Sequence, residues 1–298
     1  MFSLSLSLCA SLLNAEDSGG YIQGGFQYSN FAGKVTTNST AYTQKTINDE
    51  SIKFDGSDNV GLSTARNQGG DLLSFNFFPL ALSATTGNLF GVDIQFGYKQ
   101  FFGHQKRFGA RYYGMFSGQG GEFSSVGRGY ANQPTGNLFY GVGIDALFNF
   151  YEKGERTLGV FAGVMIGGSS WIMGKGAGNA NCRWSEFGSS NDSCGITMNK
   201  SFDSAAKEIN KQGDFMGVKA NFSPTFVQFI FNVGLRTNLT KHQGFEFGAR
   251  IPTIDAPYFS VTNTKGNGNG AVFGGDKSKA TISFRRNIAL YWNYVYNF

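Results

Sequence analysis

The carboxy-terminal segment constrains this chain more than any other stretch. Ile288, Leu290, Trp292, Tyr294, Tyr296 and Phe298 occupy alternate positions, while Arg285, Asn287, Asn293 and Asn297 fall between them. Period two belongs to a β-strand, in which successive side chains point to opposite faces. One face here is apolar and aromatic, and the other is amide-bearing and basic. That division suits a strand with lipid outside and a polar lumen inside.

The same alternation recurs upstream. Phe90, Val92, Ile94, Phe96 and Tyr98 alternate with Asp93, Gln95 and Lys99. Phe108, Ala110, Tyr112, Gly114 and Phe116 share a face opposite Arg111. Leu138 to Phe150 alternates around Asp145 and Asn149, and Leu158 to Ile166 around Gly159 and Gly163. Val227 to Leu235 alternates with Gln228, Asn232 and Arg236, and Phe245 to Ile251 with Glu246 and Arg250. A shorter first strand runs from about Gly20 to Tyr28. The pattern predicts eight antiparallel strands in an all-β transmembrane barrel. Its long connections fall at about 29–88, 118–136, 169–221 and 255–280, and its short ones near Gly103–Arg107, Glu152–Glu155 and Thr240–Gln243. Outer-membrane barrels have short periplasmic turns and long extracellular loops, so both termini are expected in the periplasm. Thr-Gly-Asn-Leu-Phe occurs at Thr86 and again at Thr135, each time where a strand enters from the outside. Asp71 to Ser83 is apolar but broken by Pro79, so it is assigned to the first loop; as a membrane strand it would make a ten-strand alternative. In the third loop, Ser201 to Gln212 predicts a short helix capped by Asp203.

Composition agrees. Gly (43), Phe (31) and Tyr (13) are abundant and charged residues make up only 15%, against about 25% in soluble domains. Mean hydropathy is still slightly negative. A helical membrane protein needs runs of roughly 20 apolar residues, and none follows the amino terminus. Residues 1–15 read as a secretory signal ending Leu13-Asn14-Ala15, although no Lys or Arg precedes Lys34. Residues 16–298 are then the barrel and its loops.

Several stretches, taken in order, carry a resemblance. They are LLNAEDSGGYIQGGFQY (Leu12–Tyr28), GYKQFFG (Gly97–Gly103), GARYYGMF (Gly109–Phe116), YGVGIDALFNF (Tyr140–Phe150), GVFAGVMIGGSSW (Gly159–Trp171), VQFIFNVGLRTNL (Val227–Leu239), FGARIPTI (Phe247–Ile254) and the ending YWNYVYNF. The chain resembles the Helicobacter outer-membrane proteins of the Hop/Hor type, which include porins and adhesins. The resemblance implies a bacterial outer-membrane location. The family's large adhesins carry a receptor-binding domain after the first strand. Here only about 29–88 occupies that place, too short for a domain of roughly 100–150 residues. The terminal Phe298, after Trp292, Tyr294 and Tyr296, resembles the signal read by the barrel-assembly machinery, and these aromatics also suit an interfacial girdle.

No catalytic, cofactor or metal chemistry is expected. His104 and His242 fall in periplasmic turns, with no nucleophile or carboxylate partner in the pattern. The alternating Gly174, Gly176 and Gly178 lack the strand-to-helix context of a phosphate loop. The net charge of +5 is spread along the chain, so nucleic acid is not an expected partner. Membrane lipid and lipopolysaccharide are, together with a host-surface receptor at the loops. The lumen charges Asp93, Lys99, Arg111, Asp145, Arg236, Glu246, Arg250 and Arg285 carry mixed signs. A lumen of about eight strands is barely wide enough for side chains. The charges are therefore expected to pair and close it. The reading is a non-enzymatic surface barrel with contact-making loops, and the alternative is a porin passing small solutes.

With the signal removed, Cys182 and Cys194 remain, in a segment assigned outside the cell. They are expected to form a disulfide there, stabilising the loop by about 3 kcal/mol. Thiol labelling of the non-reduced protein should leave both unmodified; two reactive thiols would refute the bridge.

Overall fold

The computed structural model describes residues 16–38, 64–66, 72–74, 85–103, 106–124, 133–175, 196–211, 217–264 and 277–298. The signal reading over 1–15, His104, Cys182 and Cys194 lie outside the described residues. The elements are β1 (Gly19–Asn38), β2 (Thr64–Arg66), β3 (Leu72–Ser74), β4 (Thr85–Phe102), β5 (Phe108–Ser124), β6 (Gln133–Lys153), β7 (Arg156–Met173), α1 (Met198–Lys211), β8 (Val218–Phe222), β9 (Thr225–Asn238), β10 (Gln243–Pro252), β11 (Ala256–Asn263) and β12 (Lys279–Asn297).

Eight strands form a closed antiparallel ring in the order β1-β4-β5-β6-β7-β9-β10-β12, with β12 pairing back onto β1. The seam runs the length of both strands, from Tyr21 opposite Asn297 to Asn38 opposite Lys279. β3 begins within the apolar Asp71–Ser83 stretch but pairs with β2 in a separate two-stranded sheet, so the ten-strand ring does not form. Among the described residues, no helix is long and apolar enough to cross a membrane.

The ring has two unlike ends. At the end that carries both termini, β4–β5, β6–β7 and β9–β10 are joined by tight turns. Gly103 and Gly154 adopt φ of +74° and +61° there, a region glycine enters without steric cost. At the opposite, distal end the strands run further than alternation alone indicated. β1 continues to Asn38, β5 to Ser124, and β6 begins at Gln133, all inside stretches expected to be loop. Apolar-out, polar-in alternation marks the part of a strand flanked by lipid; above it a strand can continue with no such pattern. β8 and β11 extend the distal wall. β10 pairs with the terminal half of β12, and β11 with its distal half, Ala256 opposite Phe284 through Thr262 opposite Lys279.

The handover coincides with a bulge. Asn30 pairs with Ile288 and Phe31 with Arg286, leaving Asn287 without a partner residue. An extra residue reverses parity for everything beyond it. This corrects one expectation: Arg285 points away from the lumen and pairs with Asp255 at 3.3 Å, both half-exposed. Arg286 points inward instead and is buried. The repeated Thr-Gly-Asn-Leu-Phe also divides by parity. Leu89 faces inward in the first copy, and Phe139 in the second.

α1 also differs from its sequence reading. It begins at Met198 rather than Ser201. Thr197 is the cap, its Oγ1 accepting from the Lys200 N–H at 3.2 Å, while Asp203 pairs with Lys207 one turn on. Met198, Phe202, Ala206 and Ile209 form its buried face. They join Phe31, Leu89, Trp171, Tyr258, Phe259 and Phe284 in an apolar cluster that fills the distal mouth.

Outside, Phe26, Phe90, Val92, Ile94, Phe96, Phe108, Val142, Ile144, Phe231, Phe247 and Trp292 stand exposed around the wall. An apolar surface of that extent is stable only against lipid. Inside, large side chains need room. Gly143 faces Tyr113 across the β5–β6 pair, and a Cβ there would lie 2.5 Å from the ring. At Gly163 a Cβ would meet the Ile144 carbonyl oxygen at 2.1 Å, whereas at Gly120 it would meet nothing within 4 Å. Gly163→Val should therefore destabilise the barrel by about 1–3 kcal/mol through overpacking. Gly120→Val should change it by less than about 0.5 kcal/mol. Heat-modifiable mobility of the two variants in a denaturant series measures the contrast; equal loss would refute the packing account.

Candidate functional site

The feature that could carry function is the lumen and the two closures at its ends. Parity places Asp93 and Lys99 of β4, Arg111 of β5, Asp145 of β6, Arg236 of β9 and Glu246 and Arg250 of β10 inside, each at most 5% exposed. They stack in levels rather than in one cluster.

The middle level centres on Arg111. Its Nε donates to Asp145 Oδ2 at 2.8 Å and its Nη1 to Glu246 Oε1 at 2.5 Å. Asp145 also accepts from the Tyr113 hydroxyl at 3.0 Å and from Asn232 Nδ2 at 3.0 Å. The guanidinium lies 4.5 Å from the Phe161 ring centre, a cation–π contact. One level toward the distal end, Arg250 Nη1 donates to Asp93 Oδ2 and to Gln27 Oε1, both at 2.7 Å. Asn293 Nδ2 holds the other Asp93 oxygen at 2.7 Å, and the Tyr291 ring stacks 3.7 Å from the Arg250 guanidinium. Each arginine is thus held by a carboxylate on one side and an aromatic face on another. A buried ion pair survives in this way, because its remaining hydrogen-bonding groups and its desolvation are partly compensated.

The terminal level contains a residue that alternation did not reveal. Glu16, three residues before β1, turns back into the barrel. Its Oε1 accepts from Arg236 Nη2 at 2.5 Å and from Lys99 Nζ at 3.4 Å. Asn149 Nδ2 reaches its Oε2 at 3.4 Å, and Asn297 Oδ1 takes a further bond from Lys99 at 2.8 Å. A recess of about 110 Å³ opens from the terminal end and stops against Glu16 and Lys99. No period-two signal could find Glu16, since it precedes the strand; its place immediately after Leu13-Asn14-Ala15 was the sole hint.

At the distal end α1 performs two tasks. Asn199 Nδ2 donates to the Trp171 carbonyl and Asn199 Oδ1 accepts from the Met173 N–H, both at 3.1 Å. Asn210 does the same for Ala220, with both bonds at 2.9 Å. The helix thereby satisfies backbone at the end of β7 and along the edge of β8, while its apolar face packs into the mouth. Trp292, Tyr294, Tyr296 and Phe298 all stand on the outer face. His242 lies in the β9–β10 turn, its Nδ1 2.8 Å from the Asn297 carbonyl oxygen. Among the described residues, no three His, Cys, Asp or Glu side chains converge as a metal site.

The Glu16 carboxyl is pushed up by burial, but Arg236 and Lys99 outweigh this and hold it at about 2 against an ordinary 4.5. A depressed folded-state value stabilises the fold above the unfolded value and loses that contribution as pH falls toward the folded one. Acidification from pH about 5 to 2 should remove about 3 kcal/mol from this group. Glu16→Gln should be less stable at neutral pH and should lack that part of the acid slope. Denaturant midpoints across the range measure it, and parallel slopes would refute the assignment.

Residues 93–298 match the family model described as Helicobacter outer membrane protein. No curated protein matches the sequence. Among solved structures, the chain is similar to outer membrane protein OprG from Pseudomonas aeruginosa, at 10% identity over 95% of this chain and 97% of that one, with a TM-score of 0.42. It is also similar to Ail, the attachment invasion locus protein of Yersinia pestis, at 9% identity over 95% and 100%, with a TM-score of 0.29. A third is the outer membrane protease OmpT from Escherichia coli, at 10% identity over 93% and 97%, with a TM-score of 0.30.

Proposed function

Because the chain belongs to the Helicobacter outer membrane protein family, we propose that it is a sealed, non-enzymatic surface barrel whose distal end makes contacts outside the cell. The observation that carries this reading is the stack of lumen ion pairs. The Arg111–Asp145 and Arg250–Asp93 pairs have side chains no more than 1% exposed. Glu16 plugs one end and α1 with its apolar cluster covers the other. Among the described residues these three closures leave a solute little room, which favours the exterior as the working surface.

In this reading the termini are periplasmic and the distal end, with its long connections, faces outward. Residues 1–15 are a leader removed on export, and 16–298 form the mature barrel. The loops meet a host-surface receptor, the apolar wall meets lipid, and the rim meets lipopolysaccharide. The aromatic ending engages the barrel-assembly machinery. The porin alternative draws on a different observation. Gln23, Gln27 and Gln95 line the lumen with amide atoms that have no protein partner among the described residues. Such a wall is polar enough to hold water.

Planar-bilayer conductance decides between the two, paired with denaturant stability of Asp145→Ala. The sealed reading expects small or absent native conductance and a loss of about 3–5 kcal/mol in the variant, because Arg111 and Asn232 lose a buried partner. Large, steady native conductance with an unaffected variant would overturn it in favour of the porin.

A further inference from the structure

Among the described residues, the buried lumen charges do not balance. Five buried cations line it: Lys99, Arg111, Arg236, Arg250 and Arg286. Against them stand four carboxylates, Glu16, Asp93, Asp145 and Glu246. All four carboxylates are engaged by the first four cations. Asp93, nearest in level to the odd cation, has both oxygens occupied by Arg250 and Asn293.

Arg286 is the one left without a carboxylate among the described residues. It is 3% exposed and sits just below the apolar cluster of the distal mouth. Its Nη1 donates to the neutral Gln119 Oε1 at 3.2 Å, and its guanidinium lies 5.7 Å from the Phe139 ring centre. Gln119 Oε1 is shared with the Ser29 hydroxyl at 2.8 Å, and Gln119 Nε2 is buried with no protein partner among the described residues. Ser117, two residues along the same strand face, likewise has an unpartnered buried hydroxyl. An arginine does not shed its proton, and a guanidinium removed from water without a counter-charge is costly. The neighbouring groups are donors in search of an acceptor.

We propose that a small monovalent inorganic anion, chloride in ordinary media, binds in the lumen against Arg286 with the Gln119 amide and Ser117 hydroxyl as further donors. It completes the charge balance and is shielded from the exterior by Phe31, Leu89 and Phe284. The site does not depend on what the outer surface contacts. A narrow conducting lumen would hold it equally, so conductance and anion binding are independent measurements.

The test is equilibrium unfolding of the full barrel at fixed ionic strength, with chloride or bromide replacing gluconate. Above its dissociation constant, each tenfold rise in a ligand specific for the folded state raises the folding constant about tenfold. The native protein should follow that rise. Arg286→Gln should lose it. Arg285→Gln, which removes the adjacent half-exposed arginine, should keep it, so general charge screening is controlled. Should Arg286→Gln fail to fold, crystals of the native protein grown in bromide decide the matter: an anomalous peak beside the Arg286 guanidinium supports the site. A native midpoint indifferent to the anion, an equal rise in Arg286→Gln, or no bromide peak overturns it. The first and last of these together would mean that water or a carboxylate from another part of this chain faces Arg286.

Discussion

A peptide backbone in hydrocarbon has no water to bond with, so every N–H and C=O in the wall must find a partner in the protein. The pairing of β1 with β12 meets that demand by removing the last free edge. Everything else follows from it. Once the ring closes at eight strands, the interior volume is set, and side chains must fill it. Half of each strand's residues point there. A lumen that small leaves charges two options, to pair or to be excluded. Arg111, Arg250 and Arg236 pair. The apolar exterior and charged interior are therefore one solution seen from its two sides.

Alternation made most of this legible. Seven of the eight charges expected inside are buried there, because each strand keeps strict parity along the stretch that carries those residues. Arg285 broke the rule through Asn287. Nothing in Phe284-Arg285-Arg286-Asn287 distinguishes a bulge from a regular strand, since the extra residue is recognised only by the partner it lacks in β1. Two adjacent arginines at a strand must face opposite ways, but their phase came from the far side of the bulge and was inverted. Glu16 escaped for another reason. Its role is set by Arg236, on the far side of the chain in sequence, and no local period encodes such a meeting. The start of α1 was misplaced by one turn because Asp203 is also a good cap by type. The structure uses Thr197, which places Met198 and Phe202 on the buried face.

The distal end obeys different physics from the wall. There the inward residues are apolar, Phe31, Leu89, Phe284 and Ile282, and the charges stop at Arg286. Among the described residues, the interior is filled by paired charges below and by a hydrophobic core above. These respond differently to their surroundings. Ion pairs of the lower levels are insulated by the wall, and Glu16 and Lys99, which line the terminal recess, stand nearest to bulk solvent among them. The upper core is an ordinary globular interior, assembled from α1, β8 and β11 on a foundation that the ring provides.

Asn199 and Asn210 fasten that upper core to the wall. Each uses one carboxamide as a substitute for a neighbouring strand, bonding both a carbonyl and an N–H of the wall. The last residues of β7 and the outer edge of β8 at Ala220 are thus finished by two side chains of one short helix. With four buried apolar residues beside those two amides, α1 carries within its own fourteen residues the fastenings that seat it on the wall.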